Sequence, residues 1–423
     1  MQQYGRPWAR GIGLATVDVT VMGAGIFGLS IAYVCAQRGV RVLVIDPNGP
    51  GSGASGGVVG ALAPHTPERW NQKKAFQFES LIMAAEFWAG VDADSGLGSG
   101  YGRIGRLQPI MDQHTLALAK ERIGQAAELW QGKAEWQVRP VRDFAGWAPD
   151  SPTGLLVHDT LTARIDPRRA CASLAAAIIA LGGQIETQGE ARSTIIWATG
   201  VAGLAQLGRD LHRPVGNGVK GQAALLDYDA REKPQIFADG VHIVPHDNGT
   251  VAIGSTSERY YDDPSAIDGL LDDLLQCASA VVPCLTGAPV IARWANVRPR
   301  SASRAPMLGA YPGRPGEFIA NGAFKLGFGG GVEVAAKLRE GGQLAELREV
   351  QLDGSRNLLH RLHLRGGAHA ADRQAHRNRR AHALIKQICF QKQLAVGDGN
   401  HVRRNVRGYV ARLRLDEDRK SVV

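Results

Sequence analysis

Gly23, Gly25 and Gly28 stand at the spacing G-x-G-x-x-G, and an acid, Asp46, follows about 20 residues on. These types in this order suit a dinucleotide. Gly23 permits a tight turn, Gly25 lets backbone approach a pyrophosphate, and Gly28 lets a helix pack closely on a sheet. A helix starting at Ile26 and Phe27 offers unpaired N–H groups and the positive end of its dipole to phosphates. Asp46, with Pro47 beside it, can accept two hydrogen bonds from an adenosine ribose. The elements that must hold these groups lie in the same stretch: an apolar strand from Val17 to Met22, a helical run from Leu29 to Arg38, and a second apolar strand from Val40 to Ile45. The pattern by itself suits NAD and FAD equally.

The next segment separates them. Residues Pro50 to Leu62 are a run of small residues placed directly after the acid-tipped strand, where a nicotinamide enzyme usually proceeds to another helix. With that segment the chain resembles the D-amino-acid oxidase superfamily of FAD enzymes, most closely its glycine oxidase-like branch. The resemblance implies that Ser55 contacts the cofactor near its phosphates, while Gly60, Ala61 and Leu62 lie along the isoalloxazine. It also implies that the turn at Thr199 and Gly200 closes the cofactor site, and that FAD is held without a covalent bond.

Two late segments carry the rest of the resemblance. Trp294-Ala295-Asn296-Val297-Arg298-Pro299 is similar to a family motif whose arginine grips the substrate carboxylate. A guanidinium suits that task, because its planar fork matches a carboxylate and stays charged when desolvated. The segment Gly322, Phe324, Lys325, Leu326, Gly327 and Phe328 is similar to one that runs under the flavin into a final helix, whose positive end aims at the edge that gains charge on reduction. Lys325 stands where the glycine oxidase-like pattern has arginine, so it keeps the charge and loses the fork. His242 stands where the family often has a tyrosine reaching the carboxylate, and His65 follows the flavin-lining run. Arg300 and Arg304 match nothing in the motif and read as solvated or interdomain charges.

The implied reaction oxidises the CH–NH bond of a small amino acid, glycine-like or D-configured, or of a small amine bearing a carboxylate. Hydride passes to flavin N5, the imine is hydrolysed, and dioxygen or another electron acceptor takes the electrons, dioxygen giving peroxide. No side chain need act as acid or base, because the cofactor carries the chemistry. Within the same superfamily, a sarcosine-type N-methyl amino-acid oxidase or an FAD dehydrogenase remains open. A reading from a different class is an RNA-associated flavoprotein whose basic tail holds nucleic acid.

The expected fold class is α/β: a Rossmann-like FAD-binding domain from residues 17–64, 166–204 and 297–340, interleaved with an antiparallel-sheet substrate domain from 65–165 and 205–296. Asp166-Pro167 reads as a cap and first-turn proline, and Asp247-Asn248-Gly249 as a hairpin turn between strands. A strand is expected from Arg103 to Ile110, and a helix from Ala75 to Trp88 whose Phe76, Phe78, Phe87 and Trp88 are core. With 44% hydrophobic residues, the 423-residue chain can bury a sizeable core, and it has no apolar run of about 18 residues that would span a membrane. Five scattered cysteines argue for a reducing, cytoplasmic setting rather than a disulfide framework, and Cys277 and Cys284 are placed on one helix. No metal site is expected. A homo-oligomer is compatible with this reading, while a membrane is not expected and nucleic acid is not favoured.

Residues 341–423 form an atypical basic tail. From 355 onward 13 Arg and 3 Lys stand against 5 acids, a local charge of +11 in a chain whose total is +9. The basic balance is therefore a property of the tail, which reads either as disordered or as translation out of frame after about Gly329 to Val332.

Overall fold

The computed structural model describes residues 17–324 and 327–332. Strand Val19–Met22 is apolar because it is covered on both faces, as parallel strands in α/β proteins are. It pairs in parallel with Val42–Ile45, Met22 opposite Ile45, and with Thr194–Trp197, Met22 opposite Trp197. Strand Glu317–Asn321 lies parallel beyond, Ile319 opposite Trp197, followed by Met307–Ala310 antiparallel to it. Gln184–Glu186 closes the other edge of this six-stranded sheet. The carboxyl ends of four neighbouring strands therefore share one edge. Gly23, Asp46, Ala198 to Gly200 and Gly322 all leave from it, and that edge is where open α/β sheets bind ligands.

Helix Ile26–Gln37 is buried at every position from Ile26 to Ala36. Such all-round burial needs partners on several sides. Helices Gln72–Ser95 and Pro167–Ala180 share its core cluster, with Tyr33 edge-on to Phe87 at 5.6 Å and its hydroxyl donating to Asp94 at 2.8 Å. Asp166 caps the second of these helices, accepting from the N–H groups of Arg168 and Arg169, with Pro167 in the first turn as expected.

The helix expected from Ala75 to Trp88 runs further, over Gln72–Ser95. Asn71 caps its start by accepting the Lys74 N–H, and Gly96, at φ +67°, ends it. It packs with the cradle helix in a core cluster that also takes in Trp136 and Val157 of the antiparallel layer. Phe78, Phe87 and Trp88 are core, and Phe76 packs against that core half-buried. The strand expected from Arg103 is shorter, Arg106–Pro109, because Gly105 turns at φ +73°.

The second large sheet has eight strands among the described residues. In spatial order they are Val290–Ser301, Gly216–Asp227, Thr250–Gly254, Val241–Pro245, Gln235–Ala238, Arg106–Pro109, Leu155–Asp159 and Trp136–Pro140. All pairings are antiparallel except that of Gln235–Ala238 with Arg106–Pro109. The hairpin at Asp247-Asn248-Gly249 joins its two strands as expected.

One face of this sheet, with Leu226, Ile243, Val251 and Ile253, packs on helix Gly269–Val281. The opposite face, with Ala223, Val244, Ala252 and Trp294, packs on Val58, Val59 and Ala61. The small-residue run after Asp46 thus lies against the eight-stranded sheet. Cys277 lies on helix Gly269–Val281, but Cys284 lies in the separate turn Pro283–Leu285, so the two do not share a helix. Proline at 283 ends the helical run between them.

Candidate active site

The cradle is built by contacts that only glycine allows. Gly23 adopts φ +106°, and a Cβ there would lie 2.5 Å from the Ala198 carbonyl oxygen. A Cβ on Gly28 would lie 1.9 Å from the Gly23 carbonyl oxygen. Turn, helix and third strand are therefore in backbone contact.

Gly25 caps the helix with no side chain of its own, and the Ser55 hydroxyl instead accepts the Ile26 N–H at 2.9 Å. Ser55 and the helix start thus converge on the place where phosphate would bind. Phe27, the next residue, is buried in the core cluster, leaving backbone as its only means of reaching a ligand. Asp46 accepts the Ala24 N–H at 2.8 Å and the Asn48 N–H at 3.0 Å, one on each carboxylate oxygen. Each oxygen retains lone-pair capacity for a ribose hydroxyl. Pro47 directly follows at the strand tip.

The residues past Ser55 divide by role. A Cβ on Gly60 would lie 1.8 Å from the Ile165 carbonyl oxygen, so that glycine serves close packing on residue 165. Ala61 and Leu62 pair antiparallel with Ala163 and Arg164, and the Leu62 side chain enters the core cluster. What this stretch would offer a ligand is therefore backbone. It is held from behind by His246, whose Nε2 bonds the Val58 carbonyl oxygen at 2.9 Å, and burial lowers the pKa of that imidazole.

On the far side of the sheet edge, Gly200 turns at φ +57° after Thr199, and the Asn321 side chain donates to the Gly200 carbonyl at 2.9 Å. Gly322 turns at φ +76°. Residues 327–332 are helical, with Gly327 against Ile26, Gly330 against the Phe27 ring and Gly331 against Ser30. These glycines let the segment cross close to the cradle helix, while Phe328 packs half-buried on the core. Lys325 and Leu326 lie outside the described residues.

Arg298 lies toward the carboxyl end of Val290–Ser301, on the face that meets the 58–61 run. Directly opposite residues of an antiparallel pair share a face, and Trp294 opposite Ala223 and Arg298 opposite Val219 belong to one alternating set. Arg298 donates from Nη1 to the Ser255 hydroxyl at 2.7 Å and from Nη2 to the Thr256 carbonyl at 2.7 Å. Its Nε is buried and has no partner among the described residues. Burial lowers its pKa to about 10, with Glu258 acting in the opposite sense, so it is a cation at neutral pH.

Gly221 makes room for Arg298 in this position, since a Cβ there would lie 2.7 Å from Nη2. Behind it, Glu258 pairs with Lys220 at 3.4 Å and accepts from Gln222 and Thr256. The Phe324 ring centroid lies 5.1 Å from the Arg298 guanidinium carbon.

His242 faces Gly254 and Phe237 across its neighbours and stands 4.5 Å from the Phe237 ring. Register places it on the same face as Val244 and Ala223. His65 bonds Gln77 through its ring, and burial lowers its pKa first, with Lys73, Lys74 and Arg106 adding to the effect.

The arrangement joins the groups expected in the cradle and puts Arg298 and His242 on one sheet face. Ser255, Thr256, Gly221 and His246 are additions that the sequence motifs did not mark. The one local signal was the Ser-Thr-Ser run immediately after the strand ending at Gly254.

A glycine cradle at the carboxyl edge of a parallel sheet, facing a second sheet that carries a desolvated cation, defines a dinucleotide-dependent oxidoreductase. The chain belongs to the DAO family of FAD-dependent oxidoreductases, whose model matches residues 18–339. It is 25% identical over 341 residues to a glycine oxidase of Pseudomonas aeruginosa, covering 73% of this chain and 90% of that one. It is also 25% identical over 316 residues to the bifunctional protein ThiO/ThiG of Trichormus variabilis. That match covers 70% of this chain and 48% of the relative, so the chain spans about half that protein's length. The fold matches that of an iminodiacetate oxidase from Chelativorans sp. BNC1 with a TM-score of 0.66, at 23% identity over 79% of this chain and 98% of the other.

FAD is thus the cofactor, and the residues present fit it. The two glycines leave no room for side chains between turn and helix, and Asp46 and the Ser55 hydroxyl, both bonded to the backbone of the glycine turn and helix start, are the side chains that would hold ribose and phosphate. No described helix is long and apolar enough to cross a membrane.

Proposed function

We propose that the protein oxidises the C–N bond of a small amino acid whose carboxylate is held by Arg298. The observation that carries this reading is the Arg298 guanidinium itself. It is desolvated and, among the described residues, bonded only to neutral hydroxyls and neutral carbonyls, with Nε unpartnered. A buried charge with neutral neighbours is costly until an anion joins it. The homology to a glycine oxidase supports an amino acid as that anion.

FAD bound in the cradle would supply a two-electron acceptor for the hydride that leaves the substrate Cα. The chain's own part is orientation. Arg298 fixes the carboxylate, which leaves the amine and Cα to be turned toward the flavin-lining backbone of residues 57–62. His242, on the same sheet face, offers one hydrogen bond to the carboxylate. Val58, Val59 and Trp294 keep that side of the site dry, which strengthens the charge contact. Dioxygen is the final acceptor in this reading, giving peroxide.

The test is peroxide release by the purified flavoprotein with glycine, sarcosine and D-proline. Release with glycine in excess of the other two supports the reading. Flavin reduction by glycine without peroxide would replace the oxidase by a dehydrogenase, and preference for sarcosine would move the substrate to N-methyl amino acids.

A further inference from the structure

Arg300 and Arg304 matched no motif, and the fold gives them a place. Positions 298 and 300 are two apart on strand Val290–Ser301, so their side chains emerge on the same face. Both guanidinium groups stand over one ring, with carbons 5.1 Å and 5.6 Å from the Phe324 centroid. Arg304 follows in the turn after the strand, at φ +62°. Among the described residues, Arg300 and Arg304 make no ion pair, in contrast to Arg293 on the same strand, which pairs with Asp272 at 2.7 Å.

The neighbourhood is one of like charges. Burial first, then Arg304 and Arg259, lower the pKa of Arg300, and burial followed by Arg304 lowers that of Lys73 at the start of helix Gln72–Ser95. The one carboxylate acting on Arg298 is that of Glu258, which is already paired with Lys220. One substrate carboxylate on Arg298 would leave Arg300, Arg304 and Lys73 without a counter-charge among the described residues. Clustered cations without anions are destabilising, and a second bound anion relieves them.

We propose that the substrate carries a second anionic group, so that an amino-dicarboxylate or an N-carboxymethyl amino acid is bound by two arginines, the carboxylate next to its reacting Cα on Arg298 and its distal carboxylate on Arg300. This rests on the assignment of Arg298 to the substrate carboxylate. Arg300 is a specificity-determining residue here. Its stacking on Phe324 beside Arg298 fixes the spacing between the two anions.

The test uses the FAD-loaded enzyme with glycine and D-alanine against iminodiacetate and D-aspartate, and the same panel with Arg300→Gln. For the wild-type enzyme, kcat/KM for the better dicarboxylate is expected to exceed that for glycine by about tenfold or more. Arg300→Gln should lower the dicarboxylate-to-glycine ratio of kcat/KM by about 10- to 100-fold, mainly through KM. Calorimetry with malonate and acetate, which do not react, gives a second readout: malonate should bind more tightly, and Arg300→Gln should remove that advantage.

An unchanged ratio in Arg300→Gln, or malonate binding no tighter than acetate, would overturn the proposal while leaving the Arg298 assignment standing. If Arg298→Ala left every substrate's KM unchanged, the underlying assignment would fall instead. A folded Arg300→Gln protein is recognised by its unaltered flavin spectrum and melting temperature.

Discussion

Replacing Arg298 separates a substrate contact from a structural brace. Its Nη1 and Nη2 tie strand Val290–Ser301 to the Ser255-Thr256 turn through two 2.7 Å bonds. If a carboxylate completes the set, Arg298→Ala removes one member of a desolvated charge pair, at about 2–5 kcal/mol. That corresponds to a loss of kcat/KM of roughly 30- to 4,000-fold. Arg298→Lys keeps the charge but loses the planar fork that reaches Ser255 and Thr256 from two separate nitrogens while presenting a face to a carboxylate. One charge-assisted hydrogen bond is worth about 1.5–3 kcal/mol, so the loss should be about 10- to 150-fold. The assay is anaerobic stopped-flow bleaching of the flavin against substrate concentration, with the melting temperature of each variant measured alongside. The account expects the apparent dissociation constant to rise in the order wild type, Lys, Ala. A lowered melting temperature with substrate affinity unchanged in both variants would show that Arg298 only braces the turn.

Other consequences follow from the same structure. Gly28→Ala forces a Cβ to 1.9 Å from a backbone oxygen, which has no rotamer to yield. Overpacking of that kind costs about 1–3 kcal/mol, so FAD should dissociate about 5- to 150-fold more readily, as read by flavin release on dilution. In the free enzyme Arg298 loses its charge as pH rises through about 10, so kcat/KM for carboxylate substrates should fall above that pH and not wait for the ordinary arginine range. A pH profile flat to 12 would contradict the lowering of that guanidinium's pKa by burial. Burial pushes the thiols of Cys35 and Cys171 up to about 11 and about 12, so both should resist a thiol reagent at neutral pH until the protein is denatured, whereas half-buried Cys284 should react first among the four described cysteines.

The cradle was legible because its information is local. Gly23, Gly25, Gly28 and Asp46 are bounded by two apolar runs, and strand pairing brings them together over fewer than one βαβ unit. Asp166 before Pro167 and Asp247-Asn248-Gly249 were legible for the same reason: each satisfies backbone groups within a few residues of itself. Arg298 could be named from its motif, but its partners could not. Ser255 and Thr256 reach it only through the pairing of Gly216–Asp227 with both Thr250–Gly254 and Val290–Ser301, and such register has no local signature. His246 holding the Val58 carbonyl, and Gly221 making room for Arg298, are contacts of the same long-range kind. Gly60 and Leu62 could be read as flavin lining, but not which part of them would line it: a Cβ on Gly60 would meet the Ile165 carbonyl and the Leu62 side chain enters the core, which leaves backbone. Helix Gln72–Ser95 was underestimated because its first turn is polar and its caps, Asn71 and Gly96, lie outside the aromatic run. Residues 341–423, read above as a disordered or out-of-frame basic tail, lie outside the described residues. Reading the coding DNA in its other two frames beyond Gly329 tests the second of those: neither frame yielding a small-residue apolar helix would end it.

The most direct test is the visible spectrum of the purified protein during anaerobic titration with glycine, sarcosine, D-alanine and iminodiacetate. The account predicts a bound flavin whose absorption near the visible maximum bleaches fully with at least one of these, and less readily in Arg298→Ala. A protein that binds FAD and is bleached by none of them, or by a neutral amine as easily as by a carboxylate-bearing one, would contradict it.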